Sequence, residues 1–105
     1  SMNGGIVMRV HQVRTEFVVA ACDAELVGQD LPIGTAGRTV KISSHFYGER
    51  TVTPEELAWA LKRATIANLL GERTLAIAAA EGFLPPGSAG VLGGVPHAEI
   101  FSMQG

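Results

Sequence analysis

Cys22 and Asp23 stand where the apolar run Phe17-Val18-Val19-Ala20-Ala21-Cys22 gives way to Asp23-Ala24-Glu25-Leu26-Val27-Gly28. A strand end that opens into a helical turn is a common place for a nucleophile or an anion site, and helix N–H groups lower a thiol's pKa. The plainer alternative makes Cys22 a small core residue and Asp23 the N-cap of the turn that carries Glu25. His97 follows the flexible Gly93-Gly94 and the rigid Val95-Pro96 step. That setting suits a general base or ligand, and equally a hydrogen-bonded structural histidine.

Helix geometry adds Asn68. On one helix over residues 54–70, Leu57, Leu61, Ala64 and Asn68 fall within about 60° of one another, which places the amide in the buried face. A buried amide needs partners, near Gly71 or in the last loop, and Glu72 stands just beyond. Cys22, Asp23, Glu25, Asn68, Glu72 and His97 therefore form the candidate polar site, and Asn68, Glu72 and His97 are expected to converge. On the opposite side of the same helix Trp59, Ile66 and Leu70 align within roughly 40°, with Lys62 and Arg63 alongside. An apolar stripe with a tryptophan amid charges suits a partner surface, unless the second helix or Phe83-Leu84 covers it.

Other chemistries lack their spacing. His11, His45, His97 and Cys22 are far apart, without the short pairs of a zinc site, so neither a metal nor a cofactor is expected. Gly87-Ser88-Ala89-Gly90 and Gly93-Gly94 match no phosphate-binding loop. The 105 residues carry 8 Lys+Arg against 10 Asp+Glu, a net charge of -2, with 17% charged and 47% hydrophobic residues. That balance excludes a nucleic-acid binder working by bulk charge and a disordered acidic tail. RNA contact would rest on Arg9, Arg38 and Lys41 with Tyr47, without a paired aromatic platform. The single cysteine permits no intrachain disulfide and no apolar run is long enough to cross a bilayer, so a cytoplasmic protein is expected.

These residues need elements to hold them. Alternation at Ile6, Met8 and Val10 predicts a first strand over residues 6–12, and Phe17–Cys22 a second, joined as an antiparallel hairpin. About one helical turn follows, then a loop over residues 29–37 and a third strand over residues 39–46. Thr53-Pro54-Glu55-Glu56 reads as a capping box with proline in the first turn. The alanine-rich run behind it predicts two helices, 54–70 and 72–81, broken at Gly71. Residues 83–94 read mostly as turn, with at most a short strand near 90–92, and a last strand covers 97–103. Pro96 must sit at a strand start or on an edge. Ser1 ahead of Met2 reads as an expression scar, and Asn3-Gly4-Gly5 as a flexible lead-in to one domain spanning residues 1–105.

Cys22-Asp23-Ala24-Glu25-Leu26-Val27-Gly28, Phe46-Tyr47-Gly48, Ala64-Thr65-Ile66-Ala67-Asn68-Leu69-Leu70-Gly71-Glu72 and Gly94-Val95-Pro96-His97-Ala98-Glu99 occur in this order along almost the whole chain. Taken together they resemble a family of small archaeal proteins, domain of unknown function 424. The resemblance implies an uncharacterised, archaeal-type cytosolic protein and supplies no catalytic residue. In that family glutamine is common where this chain has Glu99.

The expected fold is α+β, a four- or five-stranded mainly antiparallel sheet with the two alanine-rich helices packed on one face. The expected function is a non-enzymatic binding module for a protein or ribonucleoprotein partner, using the Trp59 stripe. The rival is a small enzyme or ligand-binding protein built on Cys22, Asp23, Asn68 and His97.

Overall fold

The structure, a computed structural model, describes residues 4–101. β1 (Ile6–Val13) and β2 (Glu16–Asp23) form the expected hairpin, with Ile6 opposite Asp23 and Val13 opposite Glu16. A 3-10 turn covers Ala24–Leu26. Next come β3 (Asp30–Ile33) and β4 (Arg38–Lys41), which pair only with each other as a two-stranded antiparallel sheet. This ribbon occupies much of the expected loop; Pro32 does not prevent it, because each strand of a ribbon keeps one edge unpaired. The expected strand over residues 39–46 stops at Lys41. Ser43 accepts the His45 N–H on its hydroxyl and opens a short helix, α1 (Ser44–Tyr47).

β5 (Thr51–Val52) pairs with the start of β1. α2 (Pro54–Arg63) begins at the predicted capping box: Thr53 Oγ1 accepts the Glu56 N–H at 3.0 Å and Glu56 Oε1 accepts the Thr53 N–H at 2.8 Å. The helix ends at Arg63, not at residue 70. Thr65 docks the chain beside β2, its N–H donating to the Phe17 carbonyl at 2.9 Å and its Oγ1 accepting the Phe17 N–H at 2.7 Å. The chain then runs as β6 (Ile66–Leu70), parallel to β2. α3 (Glu72–Ala80), β7 (Ala89–Leu92) and β8 (Val95–Phe101) complete the chain, with β8 antiparallel to both β6 and β7.

The main sheet has 6 strands in the order β5-β1-β2-β6-β8-β7, and the β2–β6 pair makes it mixed, where four or five mainly antiparallel strands were expected. The α+β class holds, as a single compact domain. α2 and α3 cover one face, where Leu57, Ala60, Leu61, Leu75 and Ala78 meet Ile6, Val19, Ala21, Leu69 and Ala98. Ala60 and Ala78 are fully buried, and their small side chains let helix backbones approach the sheet. On the other face Leu31, Ile42 and Tyr47 cover Val7, Ala20, Cys22 and Leu70. Each fully buried leucine here stabilises the fold by about 1.5–3 kcal/mol.

Pro96 is the second residue of β8, and its carbonyl accepts the Gly71 N–H at 2.8 Å. Gly5 is more than a lead-in, since its carbonyl accepts the Ala24 N–H at 3.0 Å and a guanidinium N–H of Arg73 at 3.3 Å. The expected scar at Ser1–Met2, with Asn3, and the end of the last strand at residues 102–103 lie outside the described residues.

Candidate functional site

Asp23 ends β2 and is 4% exposed. The side chain makes no capping bond to the 3-10 turn that follows it; it caps α3 across the fold. Oδ2 accepts the Arg73 N–H at 3.2 Å, while Oδ1 accepts the Thr74 N–H at 2.9 Å and the Thr74 hydroxyl at 2.8 Å. Gly71 makes this approach fit: its φ is +113°, and a Cβ there would overlap the Asp23 carboxylate. The free N–H groups of a helix start attract anions, and here the protein supplies its own.

Around that cap lies a shallow cleft of about 310 Å³ lined by Asp23, Glu25, Glu72, Arg73, Gly94 and Pro96, among others. Arg73 reaches across it, donating to Glu25 Oε1 and standing 4.0 Å from Asp23 Oδ2. The hydrogen bond from Arg73 holds the Glu25 carboxyl below its usual range and pushes the guanidinium pKa up. Asp23, Glu25 and Glu72 thus share one end of the molecule.

Cys22, Asn68 and His97 belong to a different place, the sheet face opposite α2 and α3. Asn68 is on β6, not on a helix, and Tyr47 from α1 leans over the neighbouring strand to meet it. The Tyr47 hydroxyl donates to Asn68 Oδ1 at 2.6 Å, and His97 Nε2 lies 3.3 Å from the same oxygen. A carboxamide oxygen only accepts, so this second bond needs the proton on Nε2. Burial raises the Tyr47 pKa, and the neighbouring Cys22 and Glu99 add to it. The expected convergence of Asn68, Glu72 and His97 therefore divides: Asn68 and His97 meet, and Glu72 stays with the cleft at the start of α3.

The Cys22 thiol is fully buried and donates to the Asp23 carbonyl at 3.4 Å. Burial, with the nearby charges of Asp23 and Glu25, pushes its pKa up to about 12. A neutral, sealed thiol is no nucleophile at ordinary pH. Among the described residues no group of three or more His, Cys, Asp or Glu could hold a metal ion, and no helix is long and apolar enough to cross a membrane.

The expected stripe Trp59-Lys62-Arg63-Ile66-Leu70 is not one surface. Leu70 is fully buried under the β3–β4 side and Ile66 lies on the Asn68 face, because β6 is a strand. Trp59, Lys62 and Arg63 remain on α2, with Trp59 57% exposed and the Arg63 guanidinium 3.7 Å from its ring centroid. Beside Trp59 runs a groove of about 430 Å³ between α2 and the outer part of the sheet, lined chiefly by Met8, Val10, Val52, Trp59 and Ala60 with Arg50, Glu55 and Glu56 at its rim.

The sequence profile of the family described as "Protein of unknown function (DUF424)" matches residues 11–103. This chain belongs to that family. A search of curated proteins finds no match for it. The DUF424 chain is similar to the crystal structure of an uncharacterized conserved protein from Methanopyrus kandleri, with a TM-score of 0.80 and 27% identity over 93% of this chain and 91% of that one. Sequence reasoning passed over three residues of this DUF424 fold. Arg73 and Thr74 carried no signal of their own, since their partner Asp23 lies 50 and 51 positions away. Tyr47 was noted only as an RNA contact, although Phe46-Tyr47-Gly48 is one of the segments that carry the resemblance.

Proposed function

We propose that this protein is a non-enzymatic binding module that takes an extended segment of a protein partner onto the free edge of β1. The observation that supports this is the early end of β5. Its line of pairing closes with Met8, whose N–H donates to the Arg50 carbonyl at 3.2 Å. Backbone groups alternate between the two edges of a strand, so the N–H and C=O of Val10 and Gln12 face the same edge as those of Met8. Among the described residues no strand pairs with them there. An unpaired edge beside an apolar groove is the arrangement that strand addition uses: the main chain supplies affinity and the groove selects alternate side chains. Trp59 and Val10 wall that groove, and Glu55 at its rim has no ion-pair partner among the described residues. The segment that fits carries apolar residues at alternate positions and a Lys or Arg to meet Glu55.

Selection of a random peptide library on the native chain tests the reading. Enriched peptides are expected to show that pattern, to change the fluorescence of Trp59, the single tryptophan, and to slow amide exchange at Val10 and Gln12. Binding is expected to be lost in Trp59→Ala. Enrichment of no peptide, or of peptides that leave both amides exchanging freely, refutes it.

A further inference from the structure

Asn68 and Glu99 are direct partners across β6 and β8. Such partners point to the same face with Cβ atoms about 4.5–5.5 Å apart. The next row on that face holds Val18, Ile66 and Phe101, since Val18 pairs with Ile66 and Ile66 with Phe101, and it is closed at its β1 end by His11, which pairs with Val18 and stacks on Phe46. Tyr47 covers the sheet only as far as Asn68. Beyond it Val18 and Ile66 are half-buried, Glu99 is exposed and Phe101 is 57% exposed. The open half of this face is therefore an apolar floor with a carboxamide and a carboxylate side by side at its back.

The carboxamide is held in one orientation. Its oxygen is taken by the Tyr47 hydroxyl and by His97 Nε2, which turns the NH₂ group away from both. That NH₂ has no hydrogen-bond partner among the described residues, and neither has the Glu99 carboxylate. Asn68 thus offers a fixed donor and Glu99, on the neighbouring strand, an acceptor, both above a surface on which a flat ring can lie.

We propose that this face binds a nucleobase through its lactam edge, with guanine the best fit. A lactam presents an N–H next to a C=O. The carboxylate of Glu99 accepts the ring N–H, the Asn68 NH₂ donates to the carbonyl, and the ring rests on Val18 and Ile66 against Phe101. Guanine adds its exocyclic amine as a second donor to the carboxylate, a paired, charge-assisted contact. Adenine reverses the pattern. Its ring nitrogen would turn a lone pair on Glu99 and its amine would face the Asn68 NH₂. Tyr47 and His97 are positioning residues here, because they touch the amide oxygen and not the base.

The same edge occurs on a free guanine nucleotide and on guanine in single-stranded RNA, and one experiment separates the sources. The ¹⁵N-labelled full chain is titrated with guanosine monophosphate, adenosine monophosphate, a pentaribonucleotide with one guanine among adenines, and its all-adenine counterpart. Millimolar guanosine monophosphate is expected to move the Asn68 side-chain amide and the Glu99 and Phe101 signals, with adenosine monophosphate weaker by about tenfold or more. Tighter binding of the guanine-containing strand than of the mononucleotide assigns the site to RNA; equal or weaker binding assigns it to free nucleotide. Glu99→Ala, at an exposed position, is expected to erase the preference for guanine, while Glu99→Gln keeps it at reduced affinity, because an amide oxygen still accepts the ring N–H. Absence of any shift with guanosine monophosphate and with the guanine strand, equal binding of the two mononucleotides, or an unchanged preference in Glu99→Ala each overturns the proposal.

Discussion

Removing the charge of Asp23 tests whether one buried carboxylate ties β2 to α3. Asp23→Asn keeps the shape of the side chain but sets an NH₂ where one carboxylate oxygen stood. With the amide oxygen turned to Thr74, which is fully exposure-free, its N–H and hydroxyl keep an acceptor while the Arg73 N–H at 3.2 Å loses one. A hydrogen bond to a charged group contributes about 1.5–3 kcal/mol, and a negative charge at a helix start about 0.3–1 kcal/mol. The expected loss is therefore about 2–4 kcal/mol, a large share of the roughly 5–15 kcal/mol that holds a domain of this kind. Thr74→Val removes only the hydroxyl donor to the same carboxylate and is expected to cost about 1.5–3 kcal/mol in the native background. It should cost measurably less beside Asp23→Asn, where the acceptor is uncharged. Urea unfolding followed by circular dichroism gives each value, with the slope checked for constancy. A midpoint for Asp23→Asn within about 0.5 kcal/mol of the parent would refute the capping role, since that is the range of an ordinary surface change.

Thr53→Ala is expected to destabilise by about 1 kcal/mol, because it removes the acceptor of the Glu56 N–H at the start of α2; an unchanged urea midpoint would show that the box contributes nothing. Cys22 is expected to resist a thiol reagent in the folded protein and to react at once on denaturation. Its thiol is neutral in both states well below pH 9.0; as pH rises through that value toward about 12 the unfolded chain gives up the proton first, so stability should fall across that window. A pH scan of the urea midpoint that stays flat there, once compared with Cys22→Ala, would contradict the sealed thiol.

Much of the frame could be read from local pattern. The β1–β2 hairpin shows as alternation followed by a doubly apolar run, and the start of α2 shows as a capping box, because neighbours in sequence make those contacts. The candidate site was legible only as residue types. Cys22, Asp23, Asn68 and His97 were picked out, but the grouping depended on where β6 and α3 lie.

Residues 66–70 are the point at which local reading fails and the tertiary structure decides. A central strand buried on both faces is a short continuous apolar run, which periodicity cannot tell from a buried piece of helix. Behind an alanine-rich helix, Ile66-Ala67-Asn68-Leu69-Leu70 continues the helical pattern without a break. The residue that ends the helix is Thr65, and it does so through Phe17, 48 positions earlier. Once β6 lies between β2 and β8, Asn68 turns to Tyr47 and His97, Leu70 leaves the Trp59 surface for the core, and Glu72 goes to the cap with Asp23. The sequence by itself determined the hairpin, the capped helix and the class of fold, since their signals are local. The mixed sheet, the Asp23 cap and the pairing of Asn68 with Glu99 came from the tertiary structure alone, because each is a contact between segments whose separation along the chain leaves no local pattern.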